Sequence, residues 1–250
     1  MSIPIEKTNV VNGNNIEAQD ILNIIEALDG TTDNSIIITG PLSQGKSTVA
    51  DGDFSHAEGT STTATGASSH AEGNGTTAQG DYSHAEGTST TATGDWSHAE
   101  GESTTSIGVS SHAEGLSTVA QGNWSHAEGK NTTAQGIVSH AEGESTIALG
   151  SYSHAEGYFT IASGSYQHVS GKYNTQGDTT SLFIVGNGTE GSRADAFKVT
   201  HSSSIVIPIQ KTAPTYSGSN GEMVPIETGG GHFYLYMFIS GSGWKRTEFT

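Results

Sequence analysis

Residues 55–68 read SHAEGTSTTATGAS, residues 69–82 read SHAEGNGTTAQGDY, and the pattern continues. SHAEG occurs eight times, and His56, His70, His84, His98, His112, His126, His140 and His154 follow one another at 14-residue steps. His168, in QHVSG, keeps the phase. A looser motif, TTATG or TTAQG, closes the second half of each unit, so glycines come in pairs: Gly59/Gly66, Gly73/Gly80 and onward to Gly157/Gly164. The period is too short for helical repeats, which need about 30 residues or more. Glycine does not recur at every third position, which excludes collagen. Two short strands joined by two glycine corners fit the unit, glycine supplying positive φ.

Alternate residues of a strand share a face. Ser55, Ala57 and Gly59 therefore share one face of the first strand, and His56 and Glu58 the other. In the second strand Ala64 sits between Thr63 and Thr65, and its slot reads Ala78, Ala92, Ser106, Ala120, Ala134, Ala148 and Ala162 in later units. Two columns of such small residues predict a thin interior between two closely spaced sheets. The phase extends backwards: Leu42 takes the histidine slot, Gln44 the glutamate slot, and Gly45 and Gly52 the glycine slots. Gly177 falls one residue out of phase, so the solenoid is expected to end there. Nine to ten coils at ~4.8 Å give a rod of roughly 45 Å. The class is all-β, a parallel β-solenoid.

Composition narrows the function. Of 250 residues, 26 are acidic and 9 basic, for a net charge of −17. That balance argues against a nucleic-acid surface, which needs Lys and Arg to neutralise phosphate. There is no cysteine, hence no disulfide framework and no thiolate metal site. No apolar run approaches the ~20 residues of a membrane span, and MSIPIEKTNVVNG lacks the basic and apolar regions of a secretory signal.

Alanine and serine interiors bury little apolar area, so one coil stack gains little from the hydrophobic effect. A second buried surface is expected, and the two outer faces suggest which. The outward pair of the first strand never changes: His56, Glu58, His70, Glu72, His84, Glu86, His98, Glu100, His112, Glu114, His126, Glu128, His140, Glu142, His154 and Glu156. The second strand varies, as in Thr77/Gln79, Thr105/Ile107 and Ile147/Leu149. A face repeated without change is expected to meet copies of itself, with charge-assisted pairs across a three-fold axis. Buried pairs of this kind set register more reliably than they stabilise.

The S-x-A-x-G units resemble the head repeats of trimeric autotransporter adhesins. That resemblance, over residues 41–177, implies a left-handed β-roll packed side by side as a homotrimer. The flanking segments NGNNIEAQDILNIIEALDG and SLFIVGNGTEGSRADAFKV are similar to phage and prophage tail-fibre or tail-spike sequences. They imply a virion or extracellular particle assembled in the host cytoplasm. The N-terminus would meet a baseplate or tail protein, and the C-terminus a host surface glycan or protein.

The organisation expected is an attachment segment over 1–40, the β-roll over 41–177, a β-rich transition over 178–212 and a tip over 213–250. Residues 14–30 read as a short helix, with Asn14 and Glu17 in capping-box spacing and Ile21, Leu22, Ile24, Ile25 and Leu28 at helical spacing. In the tip, Tyr234, Tyr236 and Phe238 share a strand face and Trp244 follows; these are receptor-contact candidates, or else the core of the tip.

Other motifs compete. GPLSQGKS at 40–47 matches the P-loop pattern, but STVADG after it runs into a glycine turn where phosphate binding needs a helix. H-x-E places two potential metal ligands on one face, yet repetition over eight levels reads as structural. The column before each SHAEG holds Phe54, Ser68, Tyr82, Trp96, Ser110, Trp124, Val138, Tyr152 and Tyr166; it reads as corner packing or as a glycan-contacting stripe. The Thr-x-Thr face is similar to those of ice-binding solenoids, but Gln79, Ile107 and Leu149 interrupt it. No Ser/His/Asp arrangement emerges. The expectation is a non-enzymatic fibre with no cofactor. It adheres to a host surface, or serves as an assembly component of such a particle or as a bacterial surface adhesin.

Overall fold

The computed structural model describes residues 40–202, 204–206, 223–228, 232–239 and 242–249. The helix expected over 14–30 lies outside them. The described residues form strands and turns, with no helix among them. Ten first strands, from Leu42–Lys46 to His168–Lys172, stack parallel in one sheet, and nine two-residue second strands, from Val49–Ala50 to Ile161–Ala162, stack in another. The result is a parallel β-solenoid of about ten coils. Each slot lies on its own copy: His56 opposite His70, Ala57 opposite Ala71, Glu58 opposite Glu72. The first coil obeys the same register, Leu42 opposite His56 and Gln44 opposite Glu58.

The interior is thin and made of small side chains. The columns of Ala57 and Ala64 are fully buried from the second coil on, while Ala50 at the first coil is partly buried. Two details correct the expected faces. Gly59 does not share the inner face with Ser55 and Ala57; its column is exposed. The fourth inner column is instead Thr62, Thr76, Thr90, Thr104, Thr118, Thr132, Thr146 and Thr160, all at 0% exposure. The threonine methyl adds the apolar volume that alanine lacks at this corner.

The two glycine columns also have different causes. Gly59 has φ +110°, the left-handed region open to glycine, whereas Gly66 does not. Gly66 is required by proximity: a Cβ there would overlap the backbone carbonyl of Gly80. The remaining left-handed positions carry side chains, Ser61 and its equivalents at one corner and the column Phe54, Ser68, Tyr82, Trp96 at the other.

The stack closes by substitution at the inner slots. Gln167 replaces the serine, Val169 the alanine and Asn174 the threonine, and all three are buried. Asn174 Oδ1 accepts from Ile161 N at 2.7 Å and its Nδ2 donates to Ile161 O at 2.9 Å, so one side-chain amide does the work of the missing next second strand. Gln167 Nε2 donates to the carbonyls of Asp178 and Ser181. The next coil gains one residue, and the large sheet absorbs it: Ser181–Asn187 pairs parallel with His168–Lys172, placing Phe183 opposite His168 and Gly186 opposite Gly171. The chain then turns back antiparallel through Asp195–Thr200 and Ile205–Val206. Lys198 bridges Asp178 at 3.1 Å and Asp195 at 3.3 Å. Burial acts to raise the Asp178 pKa, but hydrogen bonds from Ser181, Thr180 and Lys198 outweigh it and hold that carboxyl well below the usual range.

Candidate functional site

The first-strand sheet presents the unchanging His and Glu columns. In-register stacking forces like onto like, and the imidazoles form a pile with centroids 4.6–4.9 Å apart. From His70 on, each histidine also faces the glutamate of the preceding coil, while His56 lies 4.0 Å from Glu58 of its own coil. Nε2 to Oε1 is 3.1 Å for His140–Glu128 and His154–Glu142, and 3.3 Å for His168–Glu156. In earlier coils the separation opens to 3.5–3.9 Å. There the Nε2 atoms of His70, His84, His98, His112 and His126 are shielded without a hydrogen-bond partner among the described residues. The His–Glu contacts of one chain are thus between coils, while these side chains keep about a third of their surface exposed (31–41%).

Burial, then the charge of the neighbouring ring, lowers the pKa of His98, His112 and His140. Both causes oppose protonation, since a charged ring would lose solvent and face another ring above or below. These three rings are thereby biased toward the neutral form, and the column they belong to is bordered by a column of carboxylates.

The opposite sheet carries the variable face, where Ile107 and Leu149 stand partly exposed among Thr and Gln. At the corner between the faces, the aromatic column projects outward, Phe54 being 70% exposed and Trp96 58%.

The C-terminal candidates share one three-stranded antiparallel sheet, Met223–Thr228, His232–Ile239 and Gly243–Phe249. Tyr234 and Tyr236 meet edge to face at 6.4 Å, and the Arg246 guanidinium lies 4.7 Å over the Tyr234 ring. Phe238 is in register opposite Trp244. The structure brings Tyr234, Tyr236 and Arg246 together; Arg246 was not singled out from the sequence, although its register opposite Tyr236 follows from the hairpin.

The competing chemistries separate clearly. The P-loop-like stretch supplies the strand Leu42–Lys46, with Lys46 opposite Thr60, and no helix begins there to hold a phosphate. Trios such as His126, Glu128 and His140 place ligand atoms within 4.8 Å of one another. They are the donor types zinc or nickel would use. Outside the repeat, His201 Nδ1 lies 2.8 Å from the Thr180 carbonyl, a local tie at the closing turn.

Residues 57–83, 71–97, 85–111, 99–120, 113–136 and 141–166 each match the YadA head domain repeat, a two-copy pattern. These coils are similar to YadA head repeats. The matched residues stop at 166, immediately before Gln167 changes the inner serine slot. The match covers less than half of the chain, within the solenoid. No curated protein matches the chain.

Proposed function

We propose that the chain is the subunit of a homotrimeric, non-enzymatic adhesive rod. Three solenoids lie side by side with their His/Glu columns facing the shared axis, and the C-terminal sheet contacts the target surface. One observation carries this reading: over eight levels the same partly exposed His and Glu pair recurs in register on a face that a single chain leaves uncovered. The match to YadA head repeats supports the trimer and the adhesive role. Three tips per rod raise avidity without new contacts.

Sedimentation equilibrium of the full chain at pH 7.5 is expected to give three times 25.8 kDa. A 25.8 kDa species would overturn the proposal. The double variant His98→Ala/His112→Ala is expected to shift the equilibrium toward monomer.

The setting proposed is a phage or phage-tail-like particle, with residues 1–40 docking on a tail or baseplate protein; the flanking segments that are similar to tail-fibre sequence support it. The YadA head repeats equally favour a bacterial surface adhesin. Immunogold labelling separates the two: label on particles released by lysis supports the first, and label on intact cells the second. Deleting residues 213–250 tests the tip. Lost cell binding with intact particles supports recognition, and failed particle assembly supports a structural component.

A further inference from the structure

We propose that the corner column Phe54, Tyr82, Trp96, Trp124, Tyr152 and Tyr166 is a contact stripe for an extended, uncharged, β-linked polysaccharide. This deepens the adhesive reading and rests on it.

The column is not demanded by the fold. Its residues hold φ between 55° and 60°, the left-handed region. The other corner of each coil has the same backbone, φ 55–58°, and fills it with Ser61, Ser89, Ser103, Ser117, Asn131 and Ser145. Left-handed φ disfavours bulky side chains, so small polar residues are the expected choice. Within the column itself Ser68 and Ser110 sit at φ 54° and 53°, so serine is accepted there too. Six aromatic rings at this corner therefore need a cause other than the turn.

Burial within the chain is not that cause. The six side chains remain 53–70% exposed. The contrast lies at the other corner near the end of the stack, where aromatic residues do serve packing. Phe159 and Tyr173 stack at 5.0 Å, Tyr158 meets both edge-on, and Arg193 lies 5.6 Å over Tyr173.

Four of the exposed rings are pre-ordered as two stacked pairs. Tyr82 and Trp96 are parallel within 3°, and Tyr152 and Tyr166 within 2°. Ordered rings bind without losing rotamer freedom. The one aliphatic member is Val138. A stripe that is aromatic rather than aliphatic suits the C–H faces of pyranose rings, which aromatic π-systems accept. Polar groups flank it. Asp81 Oδ1 accepts from Ala67 N at 2.8 Å and Asp95 Oδ1 from Asp81 N at 3.0 Å. A carboxylate has two oxygens, so each retains acceptor capacity for sugar hydroxyls. The two stacked pairs of the stripe have ring centroids 5.7 and 5.0 Å apart, on the scale of one sugar's advance in an extended β-linked chain. The net charge of −17 disfavours an anionic glycan.

The test uses the full chain with cellohexaose and chitohexaose as probes and oligogalacturonate as the charged comparison. Trp96 and Trp124 are two of only three tryptophans, so intrinsic fluorescence reports on the stripe. Expected is a saturable fluorescence change with at least one neutral probe and none with oligogalacturonate. Trp96→Ser/Trp124→Ser should weaken binding at least tenfold, measured by calorimetry, with sedimentation unchanged. The foldability of that variant is anchored by Ser68 and Ser110. Three results overturn the proposal: no binding of either neutral probe; unaltered affinity in the variant; or dissociation of the oligomer, which would make the column a contact between copies of this chain. If the variant still adheres to target cells while deletion of 213–250 abolishes adhesion, the stripe fails and the adhesive reading stands. If the wild-type chain adheres to nothing, both fail.

Discussion

Gly108→Ala isolates the close approach between coils from any question of left-handed backbone. Gly108 is not among the positive-φ glycines, so alanine suits its backbone. The added Cβ would overlap the carbonyl of Gly122 and come within 2.8 Å of Asn123 N. These are backbone atoms of the next coil, so the overlap is relieved only by parting two coils. The ladder bonds at stake are Ile107 N to Ala120 O at 2.8 Å and Gly108 N to the same oxygen at 3.4 Å. Ser111 Oγ also donates to Gly108 O at 2.7 Å. Overpacking costs about 1–3 kcal/mol and each weakened hydrogen bond about 1 kcal/mol, for a total of about 3–5 kcal/mol. Against a typical stability of about 5–15 kcal/mol, the change is large. Gly75→Ser is the companion. Gly75 has φ +69°, its Cβ would meet nothing closer than Ser89 Oγ at 3.8 Å, and Ser61 and Ser89 already occupy the equivalent slot. Its effect should stay within about 1 kcal/mol, since lost glycine entropy in the unfolded chain offsets the left-handed cost. Guanidinium unfolding followed by circular dichroism, at one protein concentration, compares the two. Gly108→Ala unfolding within about 0.5 kcal/mol of the wild type, at unchanged m-value, would refute the inference that coil spacing has no slack.

The histidine stack makes stability pH-dependent. The folded pKa values of His98, His112 and His140 lie below the ordinary 6.5, so the folded state binds fewer protons than the unfolded one. Their contribution is complete above about pH 6.5 and is lost as the pH falls toward the lowered values. Thermal melts should give a lower Tm at pH 5 than at pH 7.5; an equal or higher value contradicts this. Asn174→Ala leaves Ile161 N and O without the side-chain amide and should cost about 1–3 kcal/mol. Amide exchange would then quicken first at Ile161, and uniform quickening would speak against a closing role. Asp178→Asn removes a carboxylate that accepts from Thr180, Ser181 and Lys198. It should loosen residues 178–200 in limited proteolysis while the coils before Gln167 stay protected; cleavage spread through the repeats would contradict the assignment. In the wild type the depressed Asp178 pKa contributes stability above about pH 4 that is lost in stronger acid.

Much of the solenoid was legible because its period is short and unbroken. Leu42 and Gln44 could be placed in the His and Glu slots from spacing alone, and their Cα partners are His56 and Glu58. The assignment of Gly59 to the inner face failed because strict alternation was carried one residue too far. At φ +110° that glycine has already left the strand geometry that alternation assumes. The Thr62 column was missed although its invariance over eight coils, against variable neighbours at Thr63 and Thr65, was a usable signal. Threonine reads as polar, and only its corner position shows that the whole side chain, hydroxyl included, is buried. The closing devices were hidden for another reason. Gln167 and Asn174 are polar residues buried through their backbone partners, and spacing does not reveal which chain end a long amide will reach. The stacking of His on His was implicit in the register, whereas the His–Glu contacts between coils depend on side-chain torsions that a one-dimensional pattern does not hold.

The side-chain amide that stands in for a missing strand has a consequence for how such a chain can change length. Termination is written in residues 167–174 and initiation before residue 55, so neither depends on how many identical units lie between. Duplicating or excising a whole fourteen-residue block would alter reach in steps of one rung and leave both extremities chemically the same. An insertion of another size would have to be absorbed at a corner, as the one extra residue before Ser181 is. Unequal recombination at the DNA level could therefore tune the span of the rod while preserving what it carries at either end.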